Sequence, residues 1–149
     1  MTVNEAVGDE EIVYRRIQNN SGCYLEVSGS LRLSKSAFND PAQKPSVDRA
    51  ALLGNDPARS QTQPDQGIVS LVVRDVRRIS DVVTTDQNQN VITHHAVDVV
   101  ADPVAGNPAH AQVVVHPLFG SKRPFDRLKE SLARLASQRG WEIPPASER

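Results

Sequence analysis

Asn107-Pro108-Ala109-His110 is the segment of this chain best placed to do chemistry. Proline forces the residue before it into extended backbone, so Asn107 marks the entry to a strand. His110 then falls near a strand end, where a loop meets a sheet and where acid–base groups commonly stand. The plainer alternative makes Asn107 a turn cap and His110 a hydrogen-bond partner of a neighbouring loop. Arg32, Ser34 and Ser36 form a second candidate. On an alternating strand they share one face, and an arginine beside two hydroxyls can hold a phosphate or carboxylate through charge-assisted hydrogen bonds. A solvated outer sheet face shows the same pattern. Ser46-Val47-Asp48-Arg49 is the third. A helix starting at Ser46 could take an anion at its N-terminus, and simple capping explains the same residues. The candidate site is therefore His110 as acid or base, with Arg32, Ser34, Ser36, Ser46 and Asn107 as ligand contacts.

Other chemistries find less support. His94 and His95 are adjacent, so on a strand they point to opposite faces and cannot share a metal. His110 and His116 share a face but stand roughly 20 Å apart at about 3.3 Å per residue. With a single cysteine, Cys23, a cysteine-rich zinc site is excluded. No metal and no cofactor are expected. No Gly-x-Ser-x-Gly elbow singles out a serine, and the eight glycines never cluster into a phosphate loop. Cys23 reads as an inert strand thiol. Arg74, Arg77 and Arg78 make one basic cluster, and Lys122, Arg123 and Arg127 another. Seventeen basic residues against eighteen acidic ones argue against broad phosphate-backbone binding, so nucleic acid is not the expected partner.

These residues need a scaffold, and 149 residues suffice for one domain. Aromatics are sparse, so the core must be mostly Val, Leu and Ile. The spacing predicts strands over residues 11–17 and 23–27, joined as a hairpin by the turn signal Asn19-Asn20-Ser21-Gly22. Leu31 to Ser34 resumes alternation after a break at Ser28-Gly29-Ser30. Residues 39–66 are loop-rich, with one short helix over 47–53 capped by Ser46 and stopped by Gly54. Residues 67–79 fit either a strand by β-branching or a helix by the spacing of Val69, Val72, Val73 and Val76; the spacing favours helix. A second hairpin is expected over 81–100 around a polar turn at 86–90, and a strand over 109–116. The final helix, 124–139, carries the stripe Phe125, Leu128, Leu132 and Leu135. It has Pro124 in its first turn, a Glu130–Arg134 pair and a stop at Gly140. Trp141 is expected to fold back on the core.

The class implied is α+β: a mostly antiparallel sheet of about five to six strands, two or three helices, and the C-terminal helix packed on one face. Residues 11–143 form the single domain, flanked by flexible tails at 1–10 and 144–149. The lone cysteine and the absence of a signal-like start imply a cytoplasmic protein without a membrane span. Function is then expected to be binding: a small accessory module of bacterial type, with a protein as its partner. The alternative is a small enzyme or ligand-binding domain for a phosphorylated or nucleotide substrate, held by Arg32, Ser34 and Ser36 with His110 as acid or base. That alternative requires Arg32 and His110 to share a cleft.

Overall fold

Segments in which β-branched residues alternate with polar ones become strands. In the computed structural model, which describes residues 6–20 and 22–148, these are β1 (Ile12–Ile17), β2 (Tyr24–Val27), β3 (Ser30–Leu33), β4 (Ser46–Arg49), β5 (Gly67–Val72), β6 (Val83–Thr85), β7 (Val91–His94), β8 (Ala96–Ala101), β9 (His110–His116) and β10 (Trp141–Ile143). The helices are α1 (Val73–Arg77) and α2 (Lys122–Arg139), and short 3-10 turns occupy Lys35–Phe38, Ala50–Leu53, Pro57–Ser60 and Ala146–Glu148. Six strands form an antiparallel sheet in the order β10-β5-β1-β4-β9-β8, and β2–β3 and β6–β7 are separate hairpins. The fold is α+β, as the hairpin-like spacing implied.

One face of the sheet holds the main core. Phe125, Leu128 and Leu132 of α2 are buried there with Val13, Val47, Val69, Leu71 and Val113 from alternate strand positions. Each large apolar side chain so buried contributes about 1.5–3 kcal/mol. α2 ends where expected: Gly140 has φ of 78°, and its amide donates to the carbonyls of Ala136 and Ser137. Glu130 pairs with Arg127 at 3.7 Å, one turn back, rather than with Arg134. α1 runs on from β5 yet packs against β8 at the far edge, so the sheet curls around this core. The opposite face carries a smaller cluster of Tyr14, Ile68, Ala50, Leu53 and Ala109, covered by the 3-10 turns at Ala50–Leu53 and Pro57–Ser60. That second face positions the candidate site.

Four local expectations are corrected. Residues 11–27 are not one hairpin. β1 lies between β5 and β4, while β2 turns back on β3 through Ser28 and Gly29, whose φ values of 52° and 81° are those of a two-residue hairpin turn. β1 buries Val13 and Ile17 on one face and Tyr14 on the other, so it needs a strand on each edge; β2 leaves Leu25, Glu26 and Val27 exposed. The helix expected over 47–53 is a strand followed by a 3-10 turn, because β1 and β9 supply the backbone partners that a helix would find within itself. Gly54, at φ of 65°, still ends the turn. The 67–79 segment is a strand up to Val72 and a helix only after it. Ile68, Val69, Ser70 and Leu71 are buried on both faces, which suits a central strand. The second hairpin stops at His94, and β8 leaves it to pair with β9.

Of the expected acidic tail, residues 1–5 lie outside the described residues, as do Ser21 of the first turn and Arg149. Val7 belongs to the main core, and Asp9 pairs with Arg77 at 2.6 Å. At the other end, the Ser147 hydroxyl donates to Asn19 Oδ1 at 2.7 Å and meets the Tyr24 hydroxyl at 2.8 Å. Trp141 stacks edge-on against Tyr24, with ring centroids 5.3 Å apart. It also lies over Gly67, where an added Cβ would come within 2.6 Å of the indole and 2.9 Å of Pro145. Gly67→Ala is therefore expected to lower stability by about 1–3 kcal/mol through overpacking, read as a lower urea midpoint at unchanged slope.

The edge of β8 is closed to strand addition at its centre. The Val99 amide donates to Asp98 Oδ1 at 2.7 Å, and the Val99 carbonyl accepts from Arg77 Nη2 at 3.2 Å. Side chains thus occupy groups that would otherwise template another strand. Among the described residues no helix is long and apolar enough to cross a membrane.

Candidate functional site

Alternation along β4 sends Val47 into the main core and turns Ser46 and Asp48 to the second face. Asp48 is 2% exposed. A carboxylate so buried requires partners, and it has three. Oδ2 accepts from Arg16 Nη1 at 3.0 Å and from the Ser60 hydroxyl at 2.5 Å, while Oδ1 accepts from Asn107 Nδ2 at 2.8 Å. The Asn107 amide is oriented by the Ala109 amide, which donates to its Oδ1 at 3.2 Å. Arg16 Nη1 also donates to the Ser60 carbonyl at 2.9 Å. One carboxylate therefore ties together β1, β4, the Pro57–Ser60 turn and the connection before β9.

A cleft of about 300 Å³ opens at this junction. Leu52, Leu53 and Pro108 give it an apolar side, and Arg59, Gln61 and Thr62 a polar rim. The rim is held by the buried Gln66, whose Oε1 accepts from the amides of Thr62 and Gln63 at 2.8 and 3.1 Å. Arg59 makes no ion pair among the described residues. Arg16 and Arg59 set against Asp48 leave the cleft with one excess positive charge.

His110 stands directly across from Asp48 in the β4–β9 register. Its Nδ1 lies 2.9 Å from the Asp102 carbonyl and 3.1 Å from the Asp102 carboxylate. Two oxygen acceptors at Nδ1 place the ring proton there, leaving Nε2 as the free lone pair. Such a ring is oriented for acid–base work, but His110 lines neither this cleft nor the cavity between β1 and β4 described below.

Of the residues expected at the site, Ser46, Asn107 and His110 share this face. Arg32, Ser34 and Ser36 do not. β3 ends at Leu33 and a 3-10 turn begins at Lys35, so the alternation that aligned the three is broken. Both elements pack against α2, on the other side of the sheet. The Ser34 hydroxyl donates to the Gly22 carbonyl at 2.7 Å, and Arg32 borders a groove with Arg134, Ser137 and Gln138. Arg32 and His110 share no cleft. Ser46 begins a strand and caps no helix. Sequence reasoning missed Arg16, Ser60 and Arg59, and placed Asp48 in a helix.

Several other ionisable groups are held in structural contacts. His95 is buried against the edge of Phe119. Its Nδ1 donates to the Pro117 carbonyl at 2.7 Å, which leaves Nε2 to accept from the Thr84 hydroxyl at 2.6 Å. Lys129, also buried, donates to Asn39 Oδ1 at 3.0 Å and lies 4.7 Å over the Phe125 ring. Cys23 is half-buried, and burial pushes its thiol pKa up. Half of the residues in the two basic clusters are ion-paired: Arg77 with Asp9 and Asp98, Arg74 with Glu10, and Arg127 with Asp81. Among the described residues no group of three or more His, Cys, Asp or Glu side chains is placed to hold a metal ion. Comparison of the chain with protein-family models, with curated proteins and with solved structures finds no match.

Proposed function

We propose that this domain is a binding module for a small organic anion, taken up in the cleft beside Asp48. The observation that carries the reading is Arg59, an exposed guanidinium with no ion-pair partner among the described residues, at the mouth of a cleft with one apolar side. Apolar walls with a few convergent polar groups are the usual composition of small-molecule sites, and about 300 Å³ is the low end of their size. A ring lying on Leu52 and Pro108 would remove apolar surface from water. A phosphate or carboxylate on that ring would meet Arg59, with the Thr62 hydroxyl as a neutral donor. Asp48 does not repel such a ligand strongly, because both its oxygens are already taken by donors.

Adenosine 5′-monophosphate and phenyl phosphate are suitable probes, with adenosine as the uncharged control. Ligand that binds only the folded state raises the melting temperature by mass action. Both phosphates are expected to raise it and adenosine is not. Arg59→Ala is expected to weaken binding about tenfold, a loss of about 1.4 kcal/mol. Its side chain is exposed, so the melting temperature of the unliganded variant should stay at the wild-type value. Absence of any shift with either phosphate, or affinity unchanged by Arg59→Ala, defeats the reading.

A further inference from the structure

β1 and β4 pair at only two positions, Val13 with Arg49 and Tyr14 with Asp48. Past Tyr14, β1 stays on β5 as far as Ile17, and β4 stays on β9 back to Ser46. The strands therefore part, and the wedge between them is a cavity of about 220 Å³ lined by Tyr14, Arg15, Arg16, Gln18, Ser46 and Val47. Because successive side chains on a strand point to opposite faces, Arg15 and Arg16 bring one guanidinium to the wedge from each side of the sheet.

Arg15 is the unusual group. Its Nη1 crosses the wedge to the Ser46 carbonyl at 2.9 Å, while Nε and Nη2 donate to the carbonyls of Ala37 and Asn39, each at 3.0 Å. All three acceptors are neutral. Among the described residues no carboxylate lies within ion-pair distance of Arg15. The nearby Asp40 already accepts on Oδ2 from the amides of Ala42 and Lys44 at 3.0 Å. Burial, reinforced by the charge of Arg16, pushes the Arg15 pKa down to about 10. Arg16 has its own counter-ion in Asp48. The wedge thus holds a cation with no ion-pair partner among the described residues, eased by the more distant Asp40 and by the Phe38 ring 5.5 Å from its guanidinium, and an anion in the wedge would be attracted to it.

We infer that the wedge between β1 and β4 is a binding site for a tetrahedral oxyanion of the phosphate class, held by the guanidinium groups of Arg15 and Arg16 with the Gln18 amide and the Ser46 hydroxyl as further donors. The inference does not rest on the cleft beside Asp48. The oxyanion is either free phosphate or the phosphate of a larger molecule that approaches past Arg16, which lines both cavities.

Inorganic phosphate is the probe, titrated at constant ionic strength against sodium chloride and followed by amide chemical shifts. Saturable shifts centred on residues 15–18 and 46–47 are expected. Ser46→Asp places a negative charge at the wall without replacing either arginine, and should weaken phosphate about tenfold or more. Arg15→Lys keeps the charge but not the three-carbonyl fork, and should weaken it as well. If Arg15→Lys fails to fold, Ser46→Asp alone decides. Phosphate binding that survives Arg59→Ala unchanged supports a site for free phosphate. Competition between inorganic phosphate and adenosine monophosphate supports a shared phosphate position. Shifts no larger than those of sodium chloride, or phosphate affinity unaltered in Ser46→Asp, overturn the inference.

Discussion

Asp48→Ala is expected to lower the stability of this domain by about 3–5 kcal/mol, the range for removing one partner of a buried ion pair. The loss does not come from Arg16 alone, because that side chain is 28% exposed and can turn to water. It comes mostly from groups that cannot. The Ser60 hydroxyl is buried and loses its acceptor, and Asn107 Nδ2 loses the oxygen it was oriented towards. Each buried donor left unsatisfied costs about 1–3 kcal/mol. A methyl group also leaves empty volume where the carboxylate stood. In a domain of this size the melting temperature should fall by roughly 10 °C or more. The change should also be local. Asp48 is the side chain that joins Asn107 to Arg16 and to the Ser60 hydroxyl, so residues 57–66 should exchange their amides faster even where the variant is folded. Asp48→Asn, which keeps volume and one acceptor, is expected to recover part of the stability. A variant as stable as the wild type would show that the 57–66 segment is held by Gln66 and by the Leu53 cluster instead.

How much of this was legible in the sequence follows from how local each signal is. α2 was readable because its apolar stripe repeats over eighteen residues and glycine closes it. The 67–79 segment was not, since a short run of valines satisfies helical spacing and strand composition alike. What decided it was backbone pairing with β1 and β10 at the edges and burial on both faces, under α2 on one side and the Pro57–Ser60 turn on the other. The 47–53 segment failed for the same reason. Ser46 and Gly54 are good helix punctuation, but pairing with β9, more than sixty residues away, outweighed it. Asn107 was readable because Asn-Pro is a local turn signal. Arg16 and Ser60 were not, because their role depends on Asp48, 32 and 12 residues distant. A signal was nonetheless present. Arg16 and Asp48 are opposite charges set within strand-like segments, and opposite charges on adjacent strands commonly face each other. Arg32, Ser34 and Ser36 misled because three alternating positions imply a strand through Ser36, and β3 stops three residues earlier, at Leu33.

Glu11→Ala should be comparably damaging, and its pH dependence tells it apart. Arg49 has a side chain only 6% exposed, and Glu11 grips it at two points: Nε to Oε1 at 2.9 Å and Nη2 to Oε2 at 2.8 Å. Bidentate pairs of this kind are the stronger charge-assisted hydrogen bonds. Removing the carboxylate takes both of these charge-assisted hydrogen bonds from a buried guanidinium, at a cost of about 3–5 kcal/mol. Burial by itself would raise the Glu11 pKa. The bond to Arg49 and the Gly8 amide, which donates to Oε2 at 2.7 Å, outweigh it and hold the carboxyl below its ordinary value of 4.5. A carboxyl whose folded pKa is depressed binds protons more readily when unfolded, so its contribution is full above the unfolded pKa and drains away as pH falls through the folded one. The stability gap between wild type and Glu11→Gln, measured by urea unfolding, is therefore expected to be constant from neutral pH down to about 5 and to narrow steadily below 4.5. A gap that keeps its size into the acid range would mean that the glutamate charge does not hold Arg49 in place, and that shape and neutral hydrogen bonds do.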